Sequence, residues 1–424
     1  MLTTLKNAFK IKEIRQKILF TLGMLVVIRI GSQLPVPGVD TKFFSQWFAQ
    51  QTGGAFSFFD AITGGSFLNM SILALNINPY ITSSIIMQLL TIAIPKLEEM
   101  QRDGEDGRKK MVAITRYVTV ALALIQSTAM AIGFGRQGYL IEFNALNVIT
   151  TITALTAGSA FLMWVGERIT EKGIGNGISI VLVINIISRL PQDLSNLFEQ
   201  FVFGKAPATA ILAVVIILND GVRKIPVQYA KKMQGRKMVG GQTSNIPLKV
   251  NTSGVIPIIF AQSIMQFPII ICSFIGYNGT GVWAEILKGL NSGYWCKPSQ
   301  PIYSLGLLLY IVLIVFFAYF HTSITFNPLM IADNMKKQGG FIPGIRPGKP
   351  TSDYLNKILN YIVFIGAIGL IIVSVIPYFF NGVFGASVSF GGTSLIIIVS
   401  VVLETMKQVE SQMLVRNYKG FLED

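Results

Sequence analysis

The sequence predicts an all-α polytopic membrane protein, with ten transmembrane helices in two pseudo-symmetric inverted halves. Three observations carry that prediction. First, 51% of the 424 residues are hydrophobic and only 13% are Asp, Glu, Lys or Arg. A soluble domain averages about 25% charged residues, so this chain cannot clothe a water-facing surface of its size. Second, the apolar residues gather into about ten runs of helix length, too long for the ~9–11-residue strands of a membrane barrel. Third, the loops between these runs alternate in charge. Of the 35 Lys and Arg, 28 fall on one side and seven on the other. An even number of crossings puts both termini on the basic, cytoplasmic side. The net charge of +14 therefore reads first as orientation against anionic lipid, not as a nucleic-acid surface.

The N-terminal 1–17 alternate Leu2, Leu5, Ala8, Phe9 and Ile14 with lysines, the pattern of an amphipathic interfacial helix. No small-residue cleavage signature follows closely, so a cleavable signal is not expected. Span 1 is expected at about 18–34. A long, weakly charged loop then holds the apolar piece Phe56 to Ile62, closed by Gly64-Gly65. It is too short to cross and suits a half helix shielded by protein or a water-filled cavity.

Span 2 (about 72–94) contains Asn76, Asn78, Pro79 and Gln88 and ends at Pro95. Spans 3 and 4 follow at about 111–134 and 149–165. The run Gly173-Ile174-Gly175-Asn176-Gly177 has neither the preceding strand nor the lysine of a phosphate-binding loop, and reads as a helix connector. Span 5 is short, at about 178–190. An outer hinge loop is expected at 191–207. The second half occupies 208–414, opening with span 6 at about 208–218.

The loop 223–249 carries seven Lys/Arg and no acid, and its alternating pattern predicts a protruding hairpin. Span 7 (about 255–274) holds Pro257, Gln262, Gln266 and Pro268. Span 8 is expected at about 305–326, and the inner loop 332–357 contains Phe341 to Gly348. Span 9 (about 358–376) is expected to close at Pro377. Span 10 (about 395–414) opens at Gly391-Gly392-Thr393-Ser394 and leads to a cytoplasmic tail, 415–424.

Catalytic chemistry is missing from this pattern. There is no Gly-x-Ser-x-Gly, no Walker loop and no His-Glu-x-x-His, and the two cysteines, Cys272 and Cys296, make no metal set with the single His321. No cofactor and no metal are expected. Glu404 lies near span 10, but Lys407 and Glu410 follow it directly, which reads as the inner interface. The other spans carry neutral polar residues, Asn76, Asn78, Gln88, Gln126, Asn185, Gln262 and Gln266, where a secondary transporter for a small solute, the alternative reading, would place charge at midplane. A passage without fixed charge and rich in Ile suits a hydrophobic seal.

The segments Asn69 to Ile81, Gly173 to Ser179, Lys249 to Asn251 with Gly254 to Pro257, Phe341 to Pro347 and Gly391 to Leu395 resemble, in order, the signatures of the SecY family, the channel subunits of the bacterial Sec translocase, and most closely its Gram-positive members. The resemblance implies a passive protein-conducting channel, not an enzyme, in the plasma membrane. It would pass unfolded secretory polypeptides across and release transmembrane segments sideways into lipid. It implies a plug at about 56–65 (Phe56, Phe58, Phe59, Ile62, Gly64, Gly65) and an aliphatic pore ring of Ile77, Ile81, Ile178, Leu182, Ile259 and Ile397. A lateral gate would include Gln88, Asn251 and Phe267. Docking residues for the SecA ATPase or the ribosome would be Arg346, Lys231, Lys232, Arg236, Lys237, Lys336 and Lys337. SecE and SecG are the implied partner subunits, with signal peptides, nascent polypeptides and anionic lipid as further partners.

Overall fold

The computed structural model describes residues 8–41, 43–44, 60, 63–136, 138–188, 221–229, 232–234, 237–239, 243–275, 281–384 and 392–419. Phe56, Phe58, Phe59, Ile62, Lys231 and Arg236, the 191–207 hinge and span 6 lie outside the described residues. The chain forms two compact units, one of residues 1–206, 263–306 and 378–424, the other of 207–262 and 307–377. These units cut across the expected halves, because the outer segment 263–306 and the last helix group with the first.

In the first unit, α1 (Lys12–Gly31) starts inside the stretch expected to lie along the membrane surface; only residues 8–10 precede it as a separate turn. Span 2 is shorter than its hydropathy. Residues 71–77 are turns, and α2 runs Asn78–Ala93. Pro79 fixes that start: it sits in the first turn, where a missing N–H costs nothing. At the far end Ile94 is extended, as the residue before a proline tends to be. The chain therefore bends by 108° into α3 (Pro95–Arg102).

Two long helices follow, α4 (Gly104–Arg136) and α5 (Ala145–Lys172). They pack as a hairpin, tied by Ser127–Thr156 hydroxyls at 2.8 Å and by Arg116 Nε to Glu167 Oε1 at 2.8 Å. The glycine-rich connector leads into α6 (Gly177–Ser188). Asn176 Oδ1 caps it, accepting from the Ile178 and Ser179 amides. The aromatic core of this unit joins Phe44, Phe67, Phe134 and Tyr139. Phe44 meets the other three rings edge-on at 5.1–5.8 Å, a favoured aromatic geometry.

The inner loop 223–249 is a hairpin, as its alternation predicts. β1 (Val222–Tyr229) pairs antiparallel with β4 (Thr243–Lys249), and β2 (Lys232–Gln234) with β3 (Lys237–Val239) at its tip. Span 7 is α7 (Ile256–Ile275). Residues Val282–Leu290 form α8, a helix not expected from the sequence. Span 8 is α9 (Leu305–Thr325), within a residue of its expected bounds. The next inner loop is mostly ordered: α10 (Pro328–Lys337), capped by Asn327 Oδ1, the short β5 (Gly340–Phe341), and the early start of α11 (Lys349–Phe384). Pro377 therefore does not close span 9; the helix runs seven residues past it. The last helix, α12 (Gly392–Lys419), also extends into the expected tail.

Four helical stretches among the described residues are long and apolar enough to cross a membrane: Gly104–Arg136, Ala145–Lys172, Pro301–Lys337 and Lys349–Ile376. The bent pair α2–α3 makes a fifth.

Candidate functional site

Gly64 is packed closely against α1 and α6. Its φ is +64°, and a Cβ there would lie 2.4 Å from the Asn185 carbonyl oxygen on α6. Only glycine fits both the left-handed backbone and the close approach. Its own carbonyl accepts from Arg29 Nη1 on α1 at 3.3 Å and from Ser188 Oγ on α6 at 3.5 Å. Just before it, Asp60 is fully buried. Its backbone carbonyl accepts from Thr63 Oγ1 and the Gly65 amide, and its carboxylate from the Leu68 amide at 2.9 Å. The turns at 64–68 place Phe67 in the aromatic core.

One layer further in, Asn76 has φ +53° and is fully buried. Its carbonyl accepts from Ser159 Oγ on α5 at 3.1 Å, and its Oδ1 from Asn185 Nδ2 at 3.0 Å. Asn185 thus meets both Gly64 and the turn that starts α2. Sequence inspection marked Asn76 and Asn185 only as neutral polar residues in apolar spans, and missed Arg29, Asp60 and Ser188. The available signals were a cation on the outer side of span 1 and an acid among phenylalanines.

The six expected ring residues are all found among the described residues. Ile77 is the N-cap of α2, and its carbonyl accepts the Ile81 amide at 3.1 Å, so the two side chains stack one turn apart. Ile77, Leu182 and Ile397 are buried; Ile81, Ile178 and Ile259 are half-buried. Ile178 lays its Cδ1 against Gly166 on α5. Of the expected gate residues, Gln88 is half-buried on α2, and its Oε1 has no hydrogen-bond partner among the described residues. Asn251 is buried in the turn between β4 and α7, and Phe267 stands exposed on α7.

In the second unit, the two basic loops expected to dock a partner are one object. β5 pairs with β1 (Gln228↔Phe341, Tyr229↔Gly340), giving a three-stranded sheet ordered β4-β1-β5. One core underlies it, joining Ile225, Val227 and Leu248 of the hairpin to Met335 and Ile342 of the second loop and to Leu355, Ile358 and Ile362 of α11. Buried Ile342 and half-buried Ile345 anchor the turn that displays Arg346 outward. Its backbone carbonyl accepts from Thr351 Oγ1 at 2.8 Å. Arg223, Lys224, Lys249, Lys336, Lys337, Lys349 and Lys357 are also exposed in this unit. Lys232 and Lys237 lie on the paired strands β2 and β3. No group of His, Cys, Asp and Glu able to hold a metal occurs among the described residues.

Comparison with known proteins adds relatives along the whole length. The family model described as SecY matches residues 71–406. The protein translocase subunit SecY of Streptomyces galbus is 44% identical over 446 residues, covering 100% of both chains. That of Corynebacterium glutamicum is 41% identical, covering 98% of this chain and 99% of its own. Among solved structures, one described as a protein conducting channel matches with a TM-score of 0.65 at 19% identity, covering 94% of this chain and 92% of that one. Sec61 in the canine ribosome-channel complex matches with a TM-score of 0.64 over the same shares.

Proposed function

This chain belongs to the SecY family, and from that premise we infer how its residues divide the work of a protein-conducting channel. It is a passive, multi-pass channel subunit of the bacterial plasma membrane, with both termini cytoplasmic, and it catalyses no reaction. The carrying observation is the full-length likeness to SecY subunits of 41–44% identity.

The segment from Phe56 to Gly65 is the plug, and its C-terminal stem is held by the Arg29, Asn185 and Ser188 contacts at Gly64. Ile77, Ile81, Ile178, Leu182, Ile259 and Ile397 form the seal around a translocating chain. Aliphatic side chains suit that task because they favour no peptide sequence and exclude water and ions by dewetting. Gln88, Asn251 and Phe267 belong to the lateral exit for signal peptides and nascent transmembrane segments. The platform carrying Arg346, Lys231, Lys232, Arg236, Lys237, Lys336 and Lys337 receives the SecA ATPase or the ribosome, whose rRNA phosphates would make the contact salt-dependent. SecE and SecG complete the complex, and anionic lipid meets the basic inner face.

Arg346→Glu tests the platform. Arg346 is exposed and its turn is held by buried Ile342 and by Thr351, so the charge reversal leaves the fold intact. The expected result is loss of ATPase-driven precursor transport by purified, folded R346E channel, with unaltered thermal stability. Normal transport by that protein contradicts the docking role.

A further inference from the structure

The outer segment between α7 and α9 contains a helix packed the wrong way round for water. At ~100° per residue, Val282, Ile286, Leu290, Trp283 and Leu287 of α8 fill one arc about 140° wide, while Ala284, Lys288, Glu285 and Gly289 fill the rest. A helix on an aqueous surface buries its apolar arc. Here the polar edge makes the protein contacts. The Gly289 carbonyl accepts from Trp295 Nε1 at 2.8 Å, and a Cβ on Gly306 would lie 1.8 Å from that same carbonyl oxygen. Glu285 accepts from the Tyr303 hydroxyl and, at 3.2 Å, from Lys288 Nζ. Trp295 is buried and meets Tyr378 edge-on at 5.0 Å. The leading part of the apolar arc stays open: Val282 is 78% exposed, Trp283 63% and Ile286 45%, while Leu287 and Leu290 are half-buried.

We propose that α8 lies in the outer interface of the bilayer, with Val282, Trp283 and Ile286 seated at the boundary between headgroups and acyl chains. The occupant of the open face is lipid because α8 is fastened to the first turn of α9. That helix continues into a membrane-crossing stretch whose Leu305, Leu308, Leu309 and Val312 are exposed, so the lipid surface begins where α8 is tied. Trp is the side chain most at home at this depth. The remaining charges cost little there, since Glu285 and Lys288 neutralise each other. Nine residues would not bind a membrane alone, but α8 is held at Glu285 and Gly289 and needs only to be turned the right way. Held in this plane, α8 and the Trp295 knot fix the outer end of α9 at a set depth.

The inference rests on the membrane-channel reading above, with α8 on its outer side, and the test separates the two. The complete channel complex is placed in nanodiscs whose lipids carry bromine either just below the headgroups or near the chain ends. Fluorescence of the native protein minus that of Trp283→Phe isolates Trp283, and native minus Trp164→Phe isolates Trp164, which is exposed on α5. Trp283 is expected to be quenched at least about twofold more by the shallow bromines than by the deep ones, and little by acrylamide in the water. Ile286→Trp in the W283F background, one turn along the same arc, is expected to behave alike. Trp283 quenched by acrylamide and by neither lipid overturns the proposal, as does Trp283 protected from all three, which would mark a protein-covered face. Trp164 unquenched by any brominated lipid would instead overturn the membrane reading beneath it.

Discussion

A hydrogen on Cα where any other residue has a carbon decides how the turn at Gly64, assigned above to the proposed plug, is held against α6. Replacing Gly64 by Val meets two obstacles, a φ of +64° and a backbone oxygen 2.4 Å from the new Cβ. The left-handed conformation alone costs roughly 1–2 kcal/mol for an L-residue, which shifts a closed-to-open ratio by about tenfold. Gly64→Val is therefore expected to raise resting ion conductance of the reconstituted channel about tenfold or more. A variant as tight as the native protein in planar bilayers contradicts the stem contact. Asn185→Leu removes the donor to Asn76 Oδ1. Hydrogen bonds between membrane helices average about 0.6 kcal/mol. A destabilisation of about that size is expected, since Asn185 Nδ2 donates to Asn76 Oδ1 at 3.0 Å. The check is a lower thermal midpoint for the purified complex. Of this network the sequence displayed only the ingredients. Asn76 and Asn185 stand out as amides in apolar runs, but nothing in a one-dimensional pattern says that they face each other 109 residues apart, or that Arg29 reaches a glycine carbonyl.

At the scale of elements, hydropathy placed most spans and misjudged their ends. α9 matches its expected bounds because Pro301 and the Asn327-Pro328 cap bracket it. Span 2 was overextended because residues 71–77 are apolar yet coiled into turns, a tertiary outcome held by contacts such as Ser159 to Asn76. α11 was cut short at both ends. Its first turns are polar but lie on the platform core through Leu355 and Ile358, and Pro377 is carried inside the helix. The outer helix α8 was missed although its apolar positions recur at helical spacing, because the stretch is short and sits between two obvious spans. Two predictions belong here. Gln88→Leu removes a buried oxygen with no partner among the described residues. Combined with Asn251→Leu, it is expected to lower the yield of crosslinks between a signal peptide and cysteines on α2 and α7; an unchanged yield removes these residues from the gate. The outer knot is also expected to respond to pH. The Tyr303 hydroxyl and then Lys288 hold the Glu285 carboxyl below its usual range. Its contribution is present above the ordinary carboxylate pKa and is lost as pH falls through the lowered folded value. Hydrogen exchange of the α8 amides is expected to rise on acidification and to be less pH-dependent in Glu285→Gln.

For the whole molecule, one charge pattern admits two readings, orientation and recognition. The 28-to-7 split of Lys and Arg orients the bundle, and a tally of loops cannot tell orientation from recognition. Structure separates them: β5 and a shared core weld the two long loops into one basic platform, which orientation does not require. The fold class was legible because a membrane permits so few solutions to backbone hydrogen bonding. The proposed ring rests on family motifs alone, since isoleucines that seal a pore look like isoleucines that fill a core. The platform was half legible: the hairpin alternation is local, whereas a two-residue strand recruited from 111–113 positions away leaves no local trace.

The central claim is that this chain passes polypeptide, driven by a partner on the basic platform. The most direct measurement is protease protection of a radiolabelled, unfolded precursor offered to vesicles containing the purified channel complex, with and without SecA and ATP. The account predicts protected precursor in the ATP-dependent reaction and none when the channel carries Arg346→Glu. Precursor that stays fully digestible in every condition, together with ion-coupled uptake of a small solute by the same vesicles, would contradict it.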